Sequence, residues 1–573
     1  MSKEIKANST IDVTAQSSDI ESLNFSGYSK EDIDDANEIF HHENRLSSKL
    51  NARLISMIAL VAVIGTGLFL SSGGTLHTTG PVGMLISYIF VGTVVAASQI
   101  CIAEVSCLYP ATSSFVAHAE HFIDKSLGFS MGVIDIYSAV IPSELAAVSV
   151  IMTYWSDINP ALWISIFGVV IVAINCYNVK WYGEVEFAFG MLKILLCLGL
   201  ILTGLIIDLG GVPGQQRLGF HYWKHPGPFA AKYASGSLGK FLGFWKSVNS
   251  VVYAFGSIQS ISMLAGETEY PRRAIYRAAK RVFYRVFTLY ILMVFILSMI
   301  VPYDDPVIAK PSGTASASPW VRAISLAGIK VLPHIINAVV LTSALSAANL
   351  GIIKASRTLY ALASKKQLPK VFLKVNKHGL PYVGVTFASC FLPLAYLSVS
   401  NTSASVFSWF QNISSSAILY NWIVIAVNHI AMHRALKRQG FSRNNLPYTF
   451  YGGRYAGFYS LFFSIIFLLT GGFPVFIHGY WDFATFFSAY FVIPLGLVLF
   501  VFAKLFFKTE YIRPSEVKLK PLFYDVQNRP EPNFTKLRGW RWLTLLWGRR
   551  FVGYVECVVF VECVVFVFKL MLK

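Results

Sequence analysis

Charged residues are scarce in this sequence. Asp, Glu, Lys and Arg make up 14% of its 573 residues and hydrophobic residues make up 55%, whereas soluble proteins carry about 25% charged residues. The mean hydropathy is +0.55. This composition excludes a soluble multidomain protein and predicts an all-α membrane protein.

Cysteine and acidic residues are also few. The seven cysteines lie within or beside apolar segments, with no spacing typical of a disulfide framework or a metal site. Basic residues outnumber acidic ones, 48 to 30, but they cluster in short loops between apolar runs, which argues against nucleic acid as a partner. The polar loops also lack a Ser/His/Asp or metal constellation. We therefore expect no enzyme activity, no metal and no cofactor.

About twelve apolar runs are each close to the 20 residues that a membrane crossing needs. They predict about twelve transmembrane helices, at residues 54–73, 82–104, 130–154, 161–179, 186–208, 244–265, 282–302, 331–353, 382–400, 405–431, 456–479 and 483–507. The short loops rich in Lys and Arg follow even-numbered spans. By the positive-inside rule, both termini are predicted to be cytoplasmic.

The apolar runs divide the chain into three parts. Residues 1–50 are polar, of mixed charge and without a cleavable signal peptide, and they predict a disordered cytoplasmic tail. Residues 51–510 form the predicted transmembrane transporter domain. Residues 511–573 form a second cytoplasmic tail, whose apolar end repeats VECVVF in tandem and is assigned no function.

Two spans are interrupted by helix-breaking residues. The first contains Gly-Thr-Gly at residues 65–67, and the sixth contains Gly256, Ser257 and Gln259. These spans begin two five-span halves, and glycine-interrupted segments at matching positions point to a transporter site built from inverted repeats. Amides freed at such a break attract a carboxylate and freed carbonyls attract an ammonium, which predicts a site for a zwitterion. Close helix packing through small residues is the alternative.

Several charged residues lie inside the predicted spans. Glu144 is in mid-span beside Pro142, and Glu186 and Lys193 are seven residues apart on one helical face. Because charges at membrane depth are costly, we expect Glu144 to face the substrate, and Lys193 or Glu144 to load the coupling proton. A buried structural pair is the alternative. For Glu104 and Glu186, near the cytoplasmic ends, a helix-end role is equally compatible.

A series of motifs, in order, resembles the yeast amino-acid permeases of the amino acid–polyamine–organocation superfamily. The match covers roughly residues 45–510 and includes MIALVAVIGTGLF, GPVGMLISYIFVGTVV, YGEVEFAFGMLKILL and AGETEYPRRAIYRAAKRVFYRV. The resemblance implies a LeuT-like fold of twelve helices, with a five-plus-five inverted repeat and broken helices 1 and 6. It also implies proton-coupled amino-acid uptake at a fungal plasma membrane.

The resemblance also implies which residues form the site. Lys193 matches the fifth-helix lysine that serves ion or proton coupling in related carriers. The implied contacts are Ile64, Gly65, Thr66 and Gly67 at the substrate carboxylate, and Tyr253, Phe255, Gly256 and Ser257 at the ammonium. Gln259 departs from the family because many relatives have glutamate there, and Lys354 replaces an apolar residue. Such departures predict an unusual ligand or weak transport. Lys354 and Arg357 are expected to snorkel to the cytoplasmic face.

The sequence thus favours a secondary active transporter for proton-coupled uptake of amino acids across the plasma membrane. A transporter-like amino-acid sensor with little transport is the alternative function, and an endomembrane or the vacuole is the alternative location. The expected partners are a small-molecule amino acid and the lipid bilayer, with ubiquitin and the endocytic machinery as candidates at the cytoplasmic tails.

Overall fold

The chain folds into α-helices. A computed structural model describes residues 28–41, 64–111, 114–177, 179–256, 270–309, 318–376, 379–400, 402–450 and 452–531, and within these ranges no β-strand occurs. The helices are α1 (Lys30–His41), α2 (Thr66–Phe69), α3 (Ser71–Leu108), α4 (Phe115–Phe122), α5 (Lys125–Val140), α6 (Ser143–Met152), α7 (Pro160–Tyr177), α8 (Val179–Asp208), α9 (His221–Lys224), α10 (Gly236–Ala254), α11 (Pro271–Ile300), α12 (Pro306–Ala309), α13 (Pro319–Leu326), α14 (Leu332–Ser364), α15 (Tyr382–Ser389), α16 (Leu397–Ser400), α17 (Ser403–Arg438), α18 (Gly453–Thr470), α19 (Phe483–Tyr490), α20 (Val492–Phe507) and α21 (Leu519–Asn528).

Within the described ranges, seven helical segments are long and apolar enough to cross a membrane. The pair α19 and α20, bent by 43°, makes an eighth if it is counted as one span. The prediction of an all-α membrane protein is confirmed. The predicted number of twelve spans is not reached by this criterion. The apolar parts of α7 and α11, Pro160–Cys176 and Phe287–Ile300, are shorter than 18 residues, and parts of the first and sixth predicted spans lie outside the described residues.

Helix α3 joins the end of the first predicted span to the second. Its backbone is kinked at Gly80, where φ is 80°, a conformation that glycine adopts without strain. A larger residue would also clash here, since a Cβ at this position would lie 2.7 Å from the backbone nitrogen of Ala230. Ala230 itself donates from its amide to the Thr79 carbonyl at 3.0 Å. The kink therefore lets the segment before α10 pack against the turn between the first two spans.

The third predicted span is also broken. Helix α5 ends at Val140 and α6 begins at Ser143, with Pro142 between them as the residue that caps α6. Proline has no N–H to continue the hydrogen-bond ladder, so an interruption here follows from the sequence. Glu144 consequently lies in the first turn of a new helix, where the helix dipole favours a negative charge.

The longest helices pack at the centre of the structure. Helix α3 packs against α10 and α11, while α17 packs against α18, and α14 packs against α5. One large apolar cluster joins these helices, with Leu76, Val252, Tyr290 and Trp422 among its fully buried members. The broken ends of the first, third and sixth predicted spans lie against this core.

A helix also forms in the tail that was predicted to be disordered. Helix α1 packs against α21, and Lys518 pairs with Asp35 at 2.7 Å. Phe40 is buried in an apolar cluster that includes Leu522 and Phe523. The departure from the prediction has a physical cause: α1 is too polar to fold alone but buries its apolar face on a partner from the other end of the chain. The VECVVF repeat lies outside the described residues.

Candidate functional site

The helix start beside residues 65–67 and the helix end near Gly256, where breaks are expected, meet at one place. Gly65 is extended, with φ −132° and ψ −167°, and α2 begins at the next residue. Helix α10 ends at Ala254, and the Ala254 carbonyl accepts a hydrogen bond from Tyr290 at 3.0 Å. Gly67 touches this end directly, because a Cβ on Gly67 would lie 2.6 Å from the Ala254 Cα. Glycine at 67 is therefore needed for the two broken helices to approach each other.

Glu144 links the two broken helices through its carboxylate. Thr66 in α2 donates from its hydroxyl to Glu144 Oε2 at 2.9 Å, and Tyr253 in α10 donates to Oε1 at 2.8 Å. The two hydroxyl oxygens are themselves 3.4 Å apart. A carboxylate offers about four acceptor positions, and these two bonds occupy only two of them. The carboxyl group is held from two sides and can still accept donors from a ligand.

A cavity of about 120 Å³ opens beside this carboxylate. Since one water molecule needs roughly 10–15 Å³ of such space, the cavity has room for a small solute. Among the described lining residues, Glu144 carries the one carboxylate and Lys354 the one ammonium. The predicted site residues that line the cavity are Gly65, Thr66, Gly67, Glu144, Tyr253 and Gly256.

Two of the other predicted substrate residues, Ile64 and Phe255, do not line the cavity. Ile64 is fully buried, and its carbonyl accepts from the Ser343 hydroxyl at 3.3 Å. Phe255 packs between Tyr88 and Tyr290 and does not line the cavity. Tyr253, which does line it, is two residues earlier, and residues two apart along a helical segment point to different faces. Ser257 and Gln259 lie outside the described residues.

The second group of predicted residues forms a buried chain of hydrogen bonds. Lys193 Nζ donates to the Ser346 hydroxyl at 3.0 Å, and Ser346 donates to Glu186 Oε2 at 2.5 Å. The side chains of Lys193 and Glu186 are almost completely buried. The face shared by positions 186 and 193, expected from their spacing, therefore carries an acid and a base that meet on one serine of α14.

Helix α14 presents three polar side chains along one face. Ser343 bonds the Ile64 carbonyl at the first-helix break, Ser346 joins Lys193 to Glu186, and Lys354 lies about two turns beyond Ser346. Ser343 and Ser346 were not singled out from the sequence, although their i, i+3 spacing places them together. Helix α14 thus connects the substrate cavity with the buried lysine.

The expectation that Lys354 snorkels is wrong. Its side chain is 12% exposed and its ammonium lies 2.6 Å from Asp135 Oδ1 in α5. Asn421 donates to the same oxygen at 2.9 Å. The buried carboxylate holds the lysine inside the bundle, since an isolated charge there would be costly. Asp135 was overlooked, although a carboxylate inside a predicted span is itself a signal.

Known sequences are similar to nearly all of this chain. A sequence model of the family described as amino acid permease matches residues 55–513. The dicarboxylic amino acid permease of Saccharomyces cerevisiae is 38% identical over 497 residues, which cover 85% of this chain and 81% of that protein. The proline-specific permease of the same yeast is 39% identical over 482 residues (81% and 76%). Its lysine-specific permease is 35% identical over 487 residues (84% and 79%).

Proposed function

The chain belongs to the amino acid permease family, and we propose that it takes up amino acids together with protons across the plasma membrane. Membership of this family makes it an amino-acid transporter and not an enzyme. The proposal concerns the coupling ion, the membrane, the orientation with both termini in the cytoplasm and the roles of individual residues.

The proposed substrate site rests on one observation. The Glu144 carboxylate is fixed by hydroxyls from both broken helices and lies at the wall of a cavity. In the proposal, its remaining acceptor positions take the ammonium of the amino acid. The amides of Thr66 and Gly67 precede the first hydrogen-bonded amide of α2, that of Leu68, which donates to the Gly65 carbonyl at 3.2 Å. In the proposal, these two amides take the substrate carboxylate.

Lys193 is the proposed site of the coupling proton. A lysine inside the membrane can exist as an ammonium or as a neutral amine, and its buried position beside Glu186 and Ser346 keeps it away from bulk water. When it is protonated, the ammonium balances Glu186 and Glu144. When it is neutral, the two carboxylates repel each other more strongly, which changes the balance between conformations of the bundle.

Helix α14 is the proposed link between proton and substrate. Ser346 contacts the proton site, while Ser343, one turn away, bonds the Ile64 carbonyl beside the substrate break. A shift of α14 upon deprotonation of Lys193 therefore moves the first-helix break. This couples the two sites through one rigid element, as expected when one helix bundle rocks against another.

The named relatives suggest which substrates to test first. Their names specify dicarboxylic amino acids, proline and lysine, so a panel of labelled glutamate, proline, lysine and leucine covers acidic, imino, basic and neutral substrates. Uptake is measured in a host that lacks its own permeases, at external pH 5 and pH 7. We expect uptake of at least one member, and faster uptake at pH 5.

A lysine variant tests the coupling site within the same assay. Lys193→Ala should remove the acceleration at pH 5, whereas Lys240→Ala, at an exposed position at the start of α10, should retain it. Uptake that is insensitive to pH, together with a fully active Lys193→Ala, would contradict the coupling proposal. Substrate binding to purified protein without any uptake would instead indicate a sensor.

A further inference from the structure

A second cluster of buried titratable groups lies outside the proposed transport site. Glu104 near the end of α3 meets His429 and His433 of α17, and Arg443 follows in the connection to α18. Glu104 and His429 have fully buried side chains, and the His433 side chain is 18% exposed. The transport proposal uses none of these residues.

Three potential ligand atoms in this cluster form a nearly equilateral triangle. Glu104 Oε2 lies 3.0 Å from His429 Nε2 and 3.2 Å from His433 Nε2, and the two ring nitrogens are 3.1 Å apart. A tetrahedral zinc ion with bonds of about 2.0–2.1 Å separates neighbouring ligand atoms by about 3.3 Å. The triangle therefore has the size of one face of such a coordination sphere.

Hydrogen bonds alone cannot join all three pairs of atoms in this triangle at the same time. A carboxylate that faces the Arg443 guanidinium is ionised and only accepts, and each ring nitrogen carries at most one hydrogen. If both nitrogens donate to Glu104, two N–H groups face each other. If His433 donates to His429, a nitrogen lone pair faces the carboxylate lone pairs. A cation placed above the triangle is attracted by all three lone pairs at once.

The surroundings hold the carboxylate in an orientation suited to a metal ion. Arg443 Nη2 donates to Glu104 Oε1 at 2.5 Å, and the Phe450 amide donates to the same oxygen at 2.9 Å. Gly453 is needed beside them, because a Cβ there would lie 2.3 Å from Oε1. Since Oε1 is fully engaged, Oε2 is left for the two histidines. Such outer contacts are typical of carboxylates that bind metals.

We propose that Glu104, His429 and His433 bind one divalent transition-metal ion of the zinc class. Two imidazoles and one carboxylate favour zinc, cobalt or nickel over magnesium or calcium, which prefer oxygen ligands. The partly exposed His433 provides the side from which an ion enters, and a water completes the coordination. Because the ligands come from α3 and α17, a bound ion holds these two helices together whether or not an amino acid occupies the transport site.

Metal titration of the purified full-length protein tests this site directly. After treatment with a chelator, Zn²⁺ and Co²⁺ are titrated by calorimetry, with Mg²⁺ as the ion control. We expect one equivalent of Zn²⁺ or Co²⁺, a visible absorption band typical of tetrahedral Co²⁺, and a higher melting temperature with Zn²⁺. Mg²⁺ should give none of these effects.

Histidine variants identify the ligands. His433→Ala and His433→Gln should weaken Zn²⁺ binding by at least about 100-fold, because loss of an outer contact alone costs roughly 10- to 100-fold. His478→Ala, at an exposed position far along the sequence, should bind Zn²⁺ as the unchanged protein does. Absence of Zn²⁺ binding in the unchanged protein, or equal binding by the folded His433 variants, would overturn the proposal.

Discussion

Two glutamates inside the helix bundle of this permease are held in opposite ways. Glu144 accepts from two neutral hydroxyls and borders a cavity, whereas Glu104 faces a guanidinium, a backbone amide and two imidazoles. The cationic and N–H partners of Glu104 balance its charge within the protein. The partners of Glu144 orient its charge without neutralising it. The comparison teaches that a position inside the bundle does not by itself identify a substrate-binding carboxylate; the charge of its partners and the adjacent space do.

The largest expected effect concerns the stability of the fold. In Glu104→Gln, Arg443 loses its buried partner, and breaking a buried ion pair costs about 3–5 kcal/mol. We expect a clearly lower melting temperature in detergent and less protein at the cell surface. The KM for amino acid should remain unchanged in the protein that folds. The exposed Glu510→Gln serves as the control, and a raised KM in Glu104→Gln would erase the distinction between the two glutamates.

The second prediction is the reverse of the first: uptake should fall while the melting temperature changes little. In Glu144→Gln the shape is kept and the charge removed, so charge-assisted hydrogen bonds worth roughly 1.5–3 kcal/mol are lost. This corresponds to a fall in uptake efficiency of about 10- to 150-fold, with the melting temperature of the ligand-free protein little changed. Glu184→Gln, at an exposed position in α8, should transport normally. Normal uptake by Glu144→Gln would remove this residue from the substrate site.

The third prediction separates the two glycines at the first-helix break. A Cβ at Gly67 meets the backbone of Ala254, whereas a Cβ at Gly65 meets nothing within 4 Å. Gly67→Ala should therefore cost about 1–3 kcal/mol through overpacking and lower uptake severely. Gly65→Ala should lower uptake less, because its extended backbone suits alanine and its Cβ meets no protein atom. Surface labelling distinguishes lost transport from lost protein, and equal effects of the two changes would contradict the proposed approach of α2 to α10.

The smallest expected effect is at Thr66. Thr66→Val removes the hydroxyl that orients Glu144 and preserves the side-chain shape, so about 0.5–1.5 kcal/mol is lost and uptake efficiency falls roughly 2- to 10-fold. In the control, Thr386→Val, the hydroxyl bonds only a carbonyl of its own helix at an exposed position, and uptake should not change. A Thr66→Val protein with unaltered KM would show that Glu144 needs no support from α2.

Features encoded locally could be predicted from the sequence. The helix start beside Gly65, the perturbation of a span at Pro142 and the shared face of Glu186 and Lys193 each depend on a few neighbouring residues of one helix. Backbone chemistry and helical spacing are sufficient for such inferences. The all-helical membrane fold follows in the same way from the apolar runs.

Contacts between distant helices could not be predicted in this way. Asp135 and Lys354 pair across 219 positions, and Glu104 meets His429 across 325. Spacing identifies the face of a helix but not the neighbour that this face contacts. The i, i+4 pair His429 and His433 was a usable signal for a common face, but its carboxylate partner lies in another helix. Helix α1 was missed for the same reason, since its apolar face is satisfied only by α21.

Proton entry that accompanies the amino acid tests the central claim most directly. The purified protein is placed in liposomes that contain a pH indicator, and the amino acid identified by the uptake panel is added outside. We expect substrate to acidify the interior with the unchanged protein. Lys193→Ala should still bind the substrate, as measured by its melting temperature, but should not acidify the interior. Substrate accumulation without proton entry in the unchanged protein would contradict the account.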